Sequence, residues 1–232
     1  MSKNFLKRTF TSIILLAILL IVNYSHHFVF MISITILGGI ICVEAINIFS
    51  KLAGPLFAKF NEKDRIAEKI NYKFLLINVV VFYYIFFIFC QYSYEVYRQE
   101  SPTFFLYVIS ICFLTDIGGY TFGKTIGGRK LTKISPNKTI SGTIGSFIFS
   151  ILSLIVFSNL SNIDLEFTLN NFTFILLVSL VSQLGDLFIS YLKRKAKIKD
   201  TGKILPGHGG ALDRVDGIIF ALPFSYFLLK FI

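Results

Sequence analysis

Residues Gln183–Asp216 read QLGDLFISYLKRKAKIKDTGKILPGHGGALDRVD, and they decide the fold because hydrocarbon gives way to charge inside them. The stretch begins within an apolar run, Phe172 to Tyr191, that is long enough to cross a bilayer as one helix. On that helix Ser179, Ser182, Gln183, Asp186, Ser190 and Lys193 recur at three- and four-residue steps, so they share a face. A carboxylate turned toward lipid tails costs about 3 kcal/mol, so this face must look into protein or a wet cavity. Beyond it come Lys193, Arg194, Lys195, Lys197, Lys199 and Lys203 with only Asp200 among them, a run suited to anionic phosphate. Pro206-Gly207-His208-Gly209-Gly210 breaks any helix and bares backbone amides, and Asp213 and Asp216 follow one helical turn apart. Aspartates beside lysines and open amides predict a phosphate site with a divalent metal.

Working outward, the same alternation of grease and charge repeats along the chain. Its 232 residues are 54% hydrophobic and only 16% charged, which excludes a soluble domain and predicts one membrane-embedded domain over residues 1–232. The apolar runs are Phe10 to Val22, Phe28 to Phe49, Leu75 to Tyr92, Phe104 to about Ile117, Ile144 to Phe157, Phe172 to Tyr191 and Ile218 to Phe231. They predict an all-α, polytopic integral membrane helical bundle of about seven transmembrane spans. Lys3, Lys7 and Arg8 precede the first run, and no small-residue cleavage site follows it, so the run is read as a retained anchor. With the N-terminus cytoplasmic, all but Arg98 and Lys230 of the 23 Lys and Arg fall on the cytoplasmic side. The net charge of +10 is therefore read as topology rather than as a nucleic-acid footprint. Cys42, Cys90 and Cys112 lie apart inside apolar runs without metal-ligand spacing and read as core thiols.

The loop after the fourth run is the second informative stretch. It holds Asp116-Ile117-Gly118-Gly119-Tyr120, then Gly123-Lys124, Gly127-Gly128-Arg129-Lys130 and Ser135-Pro136-Asn137-Lys138-Thr139. Gly118 to Thr125 satisfies G-x-x-x-x-G-K-T, but a P-loop needs a preceding strand and a soluble βαβ sheet, which this hydropathy excludes. Gly142, Ser146, Ser150 and Ser153 make a small-residue stripe that predicts close helix packing.

Ser190, Lys193-Arg194, Lys199-Asp200, Gly202, Leu205-Pro206, His208-Gly209-Gly210, Asp213-Arg214 and Asp216 fall at the spacings of a known signature. The stretch resembles the phosphatidate cytidylyltransferase (CDP-diacylglycerol synthase) family, and Ser135-Pro-x-Lys138-Thr139 resembles that family's upstream motif. Ala211 and Ile189 stand where the family usually has a larger aliphatic residue and a glutamate, and Ser141 stands where it often has a glutamate. The resemblance implies an enzyme that transfers the cytidylyl group of CTP to phosphatidate, giving CDP-diacylglycerol and pyrophosphate for phospholipid biosynthesis. It also implies Mg2+, with room for a second cation, monovalent or divalent, a homodimer, and a site facing the cytoplasm from a bacterial inner membrane.

On this reading Asp186, Asp213 and Asp216 are the metal ligands and, with Lys199 and His208, the catalytic set. Lys138, Ser190, Lys193, Arg194, Asp200, Gly209, Gly210 and Arg214 are the substrate contacts. His208 is expected to orient phosphate or hold the glycine turn, since the phosphate of phosphatidate is already largely ionised near neutral pH. Asp116 is open between a third carboxylate of the site and a loop brace. Glu44 is open between the polar cavity and an interhelical hydrogen bond. Two rivals stand beside this reading: a CTP-dependent polyprenol or phytol kinase, which would transfer the γ-phosphoryl group, and a membrane transporter, whose paired interrupted helices are not evident.

Overall fold

The computed structural model describes residues 3–57, 81–132, 135–160, 165–207 and 209–231. In chain order they form α1 (Lys3–Asn23), α2 (His27–Phe57) and α3 (81–95), which runs into a π-helical turn at Val96–Glu100. There follow α4 (Pro102–Thr125), α5 (Ile140–Leu160), α6 (Leu169–Lys195), the single turn α7 (Leu212–Val215) and α8 (Ile218–Leu228). Among the described residues no strand forms, and β pairing is confined to isolated bridges at Lys130–Thr139 and Leu205–Gly209. The chain is an all-α integral membrane protein. Among the described residues four helices are long and apolar enough to cross a bilayer: His27–Leu52, Pro102–Thr125, Ile140–Asn159 and Leu169–Lys195. The other expected spans are shorter among the described residues. The apolar part of α1 is Thr9–Asn23, α3 is described from residue 81 onward with Leu75 outside the described residues, and α8 is 11 residues with Pro223 inside it. Such a helix rises about 16 Å, half of a hydrocarbon core of roughly 30 Å.

By internal packing the chain falls into two units, Met1–Cys90 with Leu192–Val215, and Gln91–Tyr191 with Asp216–Ile232. In the first, α2 buries Phe30, Ile34, Ile41, Ala45 and Ile48, a stripe at three- and four-residue steps and their sums. Val29, Ile32, Ile36, Val43 and Ile46 on its other faces are exposed, as lipid contact requires. Phe82, Phe86 and Phe89 of α3 supply the facing stripe, with the Phe49 and Phe82 rings 4.6 Å apart. In this unit α6 ends in a Schellman motif: Ile198 N donates to Lys193 O (3.0 Å) and Lys197 N to Arg194 O (3.1 Å). Lys197 takes the left-handed conformation this needs, φ 56°, where glycine is usual.

The second unit is built on small residues. Where helices meet in lipid, apolar burial gives no net drive, so close backbone contact must supply the attraction. A Cβ on Gly118 of α4 would lie 2.6 Å from Phe149 Cβ, and one on Gly142 of α5 would lie 2.8 Å from Gly119 O. Ser146, Ser150 and Ser153 are buried along the same stripe. The Walker-like residues therefore belong to helix α4, with glycines turned to α5, and no phosphate loop exists there. Thr115 Oγ1 donates to Ser179 Oγ (2.8 Å), joining α4 to α6. The chain entering α8 presses on α6 as closely: a Cβ on Gly185 would lie 3.0 Å from Asp216 O.

Candidate active site

Within the second unit a cavity of about 310 Å3 opens among α4, α5, α6 and the loop before α5. Asp116, Lys138, Thr139, Ser146, Gln183 and Asp186 are in its wall. The polar face expected on α6 thus looks into a cavity, which satisfies the constraint on Asp186. Lys138 reaches it by a hairpin-like return, in which Leu131 N donates to Lys138 O (2.8 Å) and Ile140 N to Arg129 O (3.0 Å). Thr139 then caps α5, its Oγ1 accepting from Gly142 N (3.1 Å). Ser141, the departure from the usual glutamate, donates its hydroxyl to Gly127 O and so braces the loop. Lys138 Nζ forms an ion pair with Asp186 Oδ2, while Ser190 Oγ donates to Asp186 Oδ1 (3.2 Å). Asp116 lines the same cavity, and Asp216 Oδ1 accepts from the following amide, Gly217 N (3.0 Å).

The glycine loop and its flanks form a second polar cluster, inside the first unit. Asp213 Oδ1 accepts from Lys193 Nζ (2.8 Å), and Oδ2 accepts from Thr201 N (2.8 Å) and Gly210 N (3.0 Å), with the longer half of a proton that Thr201 Oγ1 (3.1 Å) shares with Glu44. Burial alone would raise the Asp213 carboxyl, but Lys193 and the two amides outweigh it and hold it below the ordinary aspartate value. Gly207 (φ 78°) and Gly209 (φ 86°) shape the loop, which Leu205 N closes on Gly209 O (2.9 Å). Beneath it lies Glu44 of α2, 3% exposed, whose Oε1 accepts from Ala211 N (3.0 Å) and whose Oε2 accepts from Leu212 N (2.9 Å) and Thr201 Oγ1 (2.8 Å).

The expected residues therefore distribute unevenly. Asp186, Ser190 and Lys138 are joined by direct bonds, and Lys193, Gly210 and Asp213 by another set. Arg194, Lys199, Asp200 and Arg214 are exposed, as phosphate-reaching side chains must be. His208 lies outside the described residues. Lys193, expected on phosphate, is committed to Asp213 instead. Asp213, expected on metal, has both oxygens engaged by its own chain. Of Glu44's open alternatives, the structure shows the interhelical hydrogen bond, to Leu212 N at the start of α7, and adds to it a brace on the preceding loop through Ala211 and Thr201. Thr201 was missed, because a threonine between Asp200 and Gly202 carries no signal until the fold sets two carboxylates against it.

Among the described residues no three His, Cys, Asp or Glu converge as a ready metal cage. The donor chemistry of the cavity still suits a hard divalent cation, since carboxylates and hydroxyls face it without thiol or imidazole.

A model of the Cytidylyltransferase family matches residues 48–232. The chain is 41% identical over 132 residues to the phosphatidate cytidylyltransferase of Bacillus subtilis (strain 168), covering 56% of this chain and 49% of that protein. It is 43% identical over 136 residues to that of Staphylococcus haemolyticus (strain JCSC1435), covering 57% and 51%. With the Staphylococcus epidermidis protein of the same name it shares 44% over 140 residues, 60% of this chain and 53% of that one. The chain spans about half the length of these curated relatives. The matched residues hold both motifs, the cavity they line and the loop built on Asp213, and the chain belongs to the cytidylyltransferase family.

Proposed function

We propose that the chain transfers the cytidylyl group of CTP to phosphatidate. A phosphate oxygen of phosphatidate attacks the α-phosphorus of CTP, the bond from that phosphorus to the αβ-bridging oxygen breaks, and pyrophosphate leaves with the electron pair. The observation that carries this reading is the cavity in which Lys138 of the upstream motif meets Asp186 of the signature. A cation and carboxylates in one wall suit a phosphate group and its counter-charge together. The relatives named phosphatidate cytidylyltransferase support the choice of lipid and nucleotide.

Lys138, Lys199, Arg194 and Arg214 are the proposed phosphate contacts, and Gly209 offers main-chain surface to the triphosphate, whereas the buried amide of Gly210 is taken by Asp213. Mg2+ would be held within the second unit by Asp186, with Asp216 as a further ligand, and would offset charge on the triphosphate and the leaving pyrophosphate. The N-terminus and the site are assigned to the cytoplasmic face of a bacterial cell membrane on the distribution of Lys and Arg. Thr11 Oγ1 donates to Pro206 O (3.1 Å), which supports a common side for the start of α1 and the glycine loop.

The test is release of pyrophosphate from CTP by the purified chain in mixed micelles. Release should require phosphatidate, and diacylglycerol should not replace it. Turnover with diacylglycerol or a polyprenol, without phosphatidate, would replace this reading by the kinase.

A further inference from the structure

We infer that Glu44 is the positioning residue of the signature loop, acting through Thr201 on Asp213. Glu44 lies on α2, upstream of the residues that the family model matches. The inference deepens the proposed cytidylyl transfer and rests on it for the kinetic part of its test.

Three observations carry it. Glu44 is a buried carboxylate, and among the described residues no Lys or Arg neutralises it, so two backbone amides and one hydroxyl bear its charge. An acid survives such burial only where every oxygen is satisfied. Second, the donors are consecutive parts of one device. The Ala211 and Leu212 amides lead into Asp213, and the Thr201 hydroxyl, 1% exposed, shares its one proton between Glu44 Oε2 (2.8 Å) and Asp213 Oδ2 (3.1 Å), a bifurcated bond that ties the two carboxylates together. Third, the loop is shaped around the carboxylate. A Cβ on Gly210 would lie 2.7 Å from Glu44 Cδ and one on Gly202 3.0 Å from it, so any larger residue at either place displaces Glu44. Helix α2 thus reaches out of its apolar stripe to fix the segment carrying Asp213 and Arg214, and the signature loop is set before substrate arrives.

Glu44→Gln is the discriminating change. Its amide NH2 must face either Ala211 N or Leu212 N, because each carboxylate oxygen already receives a backbone N–H. Thr201→Val removes the bridge at constant shape, and Thr201→Ser restores the hydroxyl. Hydrogen exchange is followed in the full chain in detergent, with steady-state kinetics in parallel. Glu44→Gln and Thr201→Val should each speed exchange at Ala211 and Leu212 by about tenfold or more while peptides of α4 and α5 keep their protection. Both should raise KM for CTP by a similar factor and leave KM for phosphatidate unmoved, and Thr201→Ser should recover most of the loss. Unchanged exchange at Ala211 and Leu212 overturns the inference. So does a loss of activity that tracks only the folded fraction, with KM for CTP as in wild type. If the unaltered chain makes no CDP-diacylglycerol, the functional reading has failed, and the exchange result alone decides the positioning role.

Discussion

Replacing Asp213 by Asn changes one atom and should be felt throughout the signature loop. The Asp213 side chain is 5% exposed and Lys193 12%, and the carboxylate holds the ammonium on Oδ1 and two backbone amides on Oδ2, with a share of the Thr201 hydroxyl proton. An Asn oxygen can keep the Thr201 and Gly210 donors only by turning its NH2 toward Lys193; the flipped rotamer keeps Lys193 and offends the amides. A hydrogen bond to a charged group contributes about 1.5–3 kcal/mol, and breaking a buried ion pair costs about 3–5 kcal/mol. The long stem of Lys193 lets its ammonium reach toward water, which favours a loss of about 2–3 kcal/mol. That is roughly 30- to 150-fold in the folding equilibrium. Reversible unfolding in detergent measures it, with Lys193→Met as the second arm of a double-mutant cycle. Asp213→Asn should cost about 2–3 kcal/mol alone and less than about 1 kcal/mol in the Lys193→Met background. The variant should stay in the membrane and lose product formation. Equal cost in both backgrounds would refute the reasoning, because the pair would then contribute nothing.

The same carboxylate gives a pH signature. Its folded pKa is lowered, so its stabilisation is full above about pH 4, the ordinary aspartate range, and is lost as the pH falls through the folded value. Without divalent cation, wild-type Tm should fall more steeply than that of Asp213→Asn as the pH drops below about 4; parallel slopes would contradict the shift. Lys197→Gly should stabilise the chain by about 1 kcal/mol, because the exposed lysine sits at φ 56° in the Schellman cap, and an unchanged Tm would remove that strain. Lys124 reaches the Tyr120 side chain of its own helix at the end of α4, so Lys124→Ala should reduce turnover far less than Arg214→Ala. Equal collapse of both would return a phosphate role to the Walker-like sequence.

Much of this was legible in the sequence where one helix carries the information. Asp186, Gln183 and Ser190 share a face because the helical period places them there, and Gln183 and Asp186 line the cavity while Ser190 bonds to Asp186. The small-residue stripe from Gly142 to Ser153 likewise declared a tight helix contact. Span length was less legible: hydropathy finds apolar runs, but the backbone decides that α8 stops after 11 residues. Long-range pairing was not legible at all. Nothing in the spacing of Glu44 announces Thr201, 157 positions away. A carboxylate before the last helix reads as a metal ligand or as a charge on the helix end, whereas the oxygens of Asp213 serve Lys193 and the loop. Lys197 gave no cue either, since a left-handed cap is signalled by glycine and this one is a lysine.

The central claim is that the α-phosphorus of CTP goes to a lipid phosphate, and label position tests it directly. Membranes containing this chain, given phosphatidate, Mg2+ and CTP labelled at the α-phosphorus, should yield a labelled lipid that also carries cytosine. CTP labelled at the γ-phosphorus should yield labelled pyrophosphate and no labelled lipid. Label passing from the γ-position into lipid would contradict the account, even with both polar clusters intact.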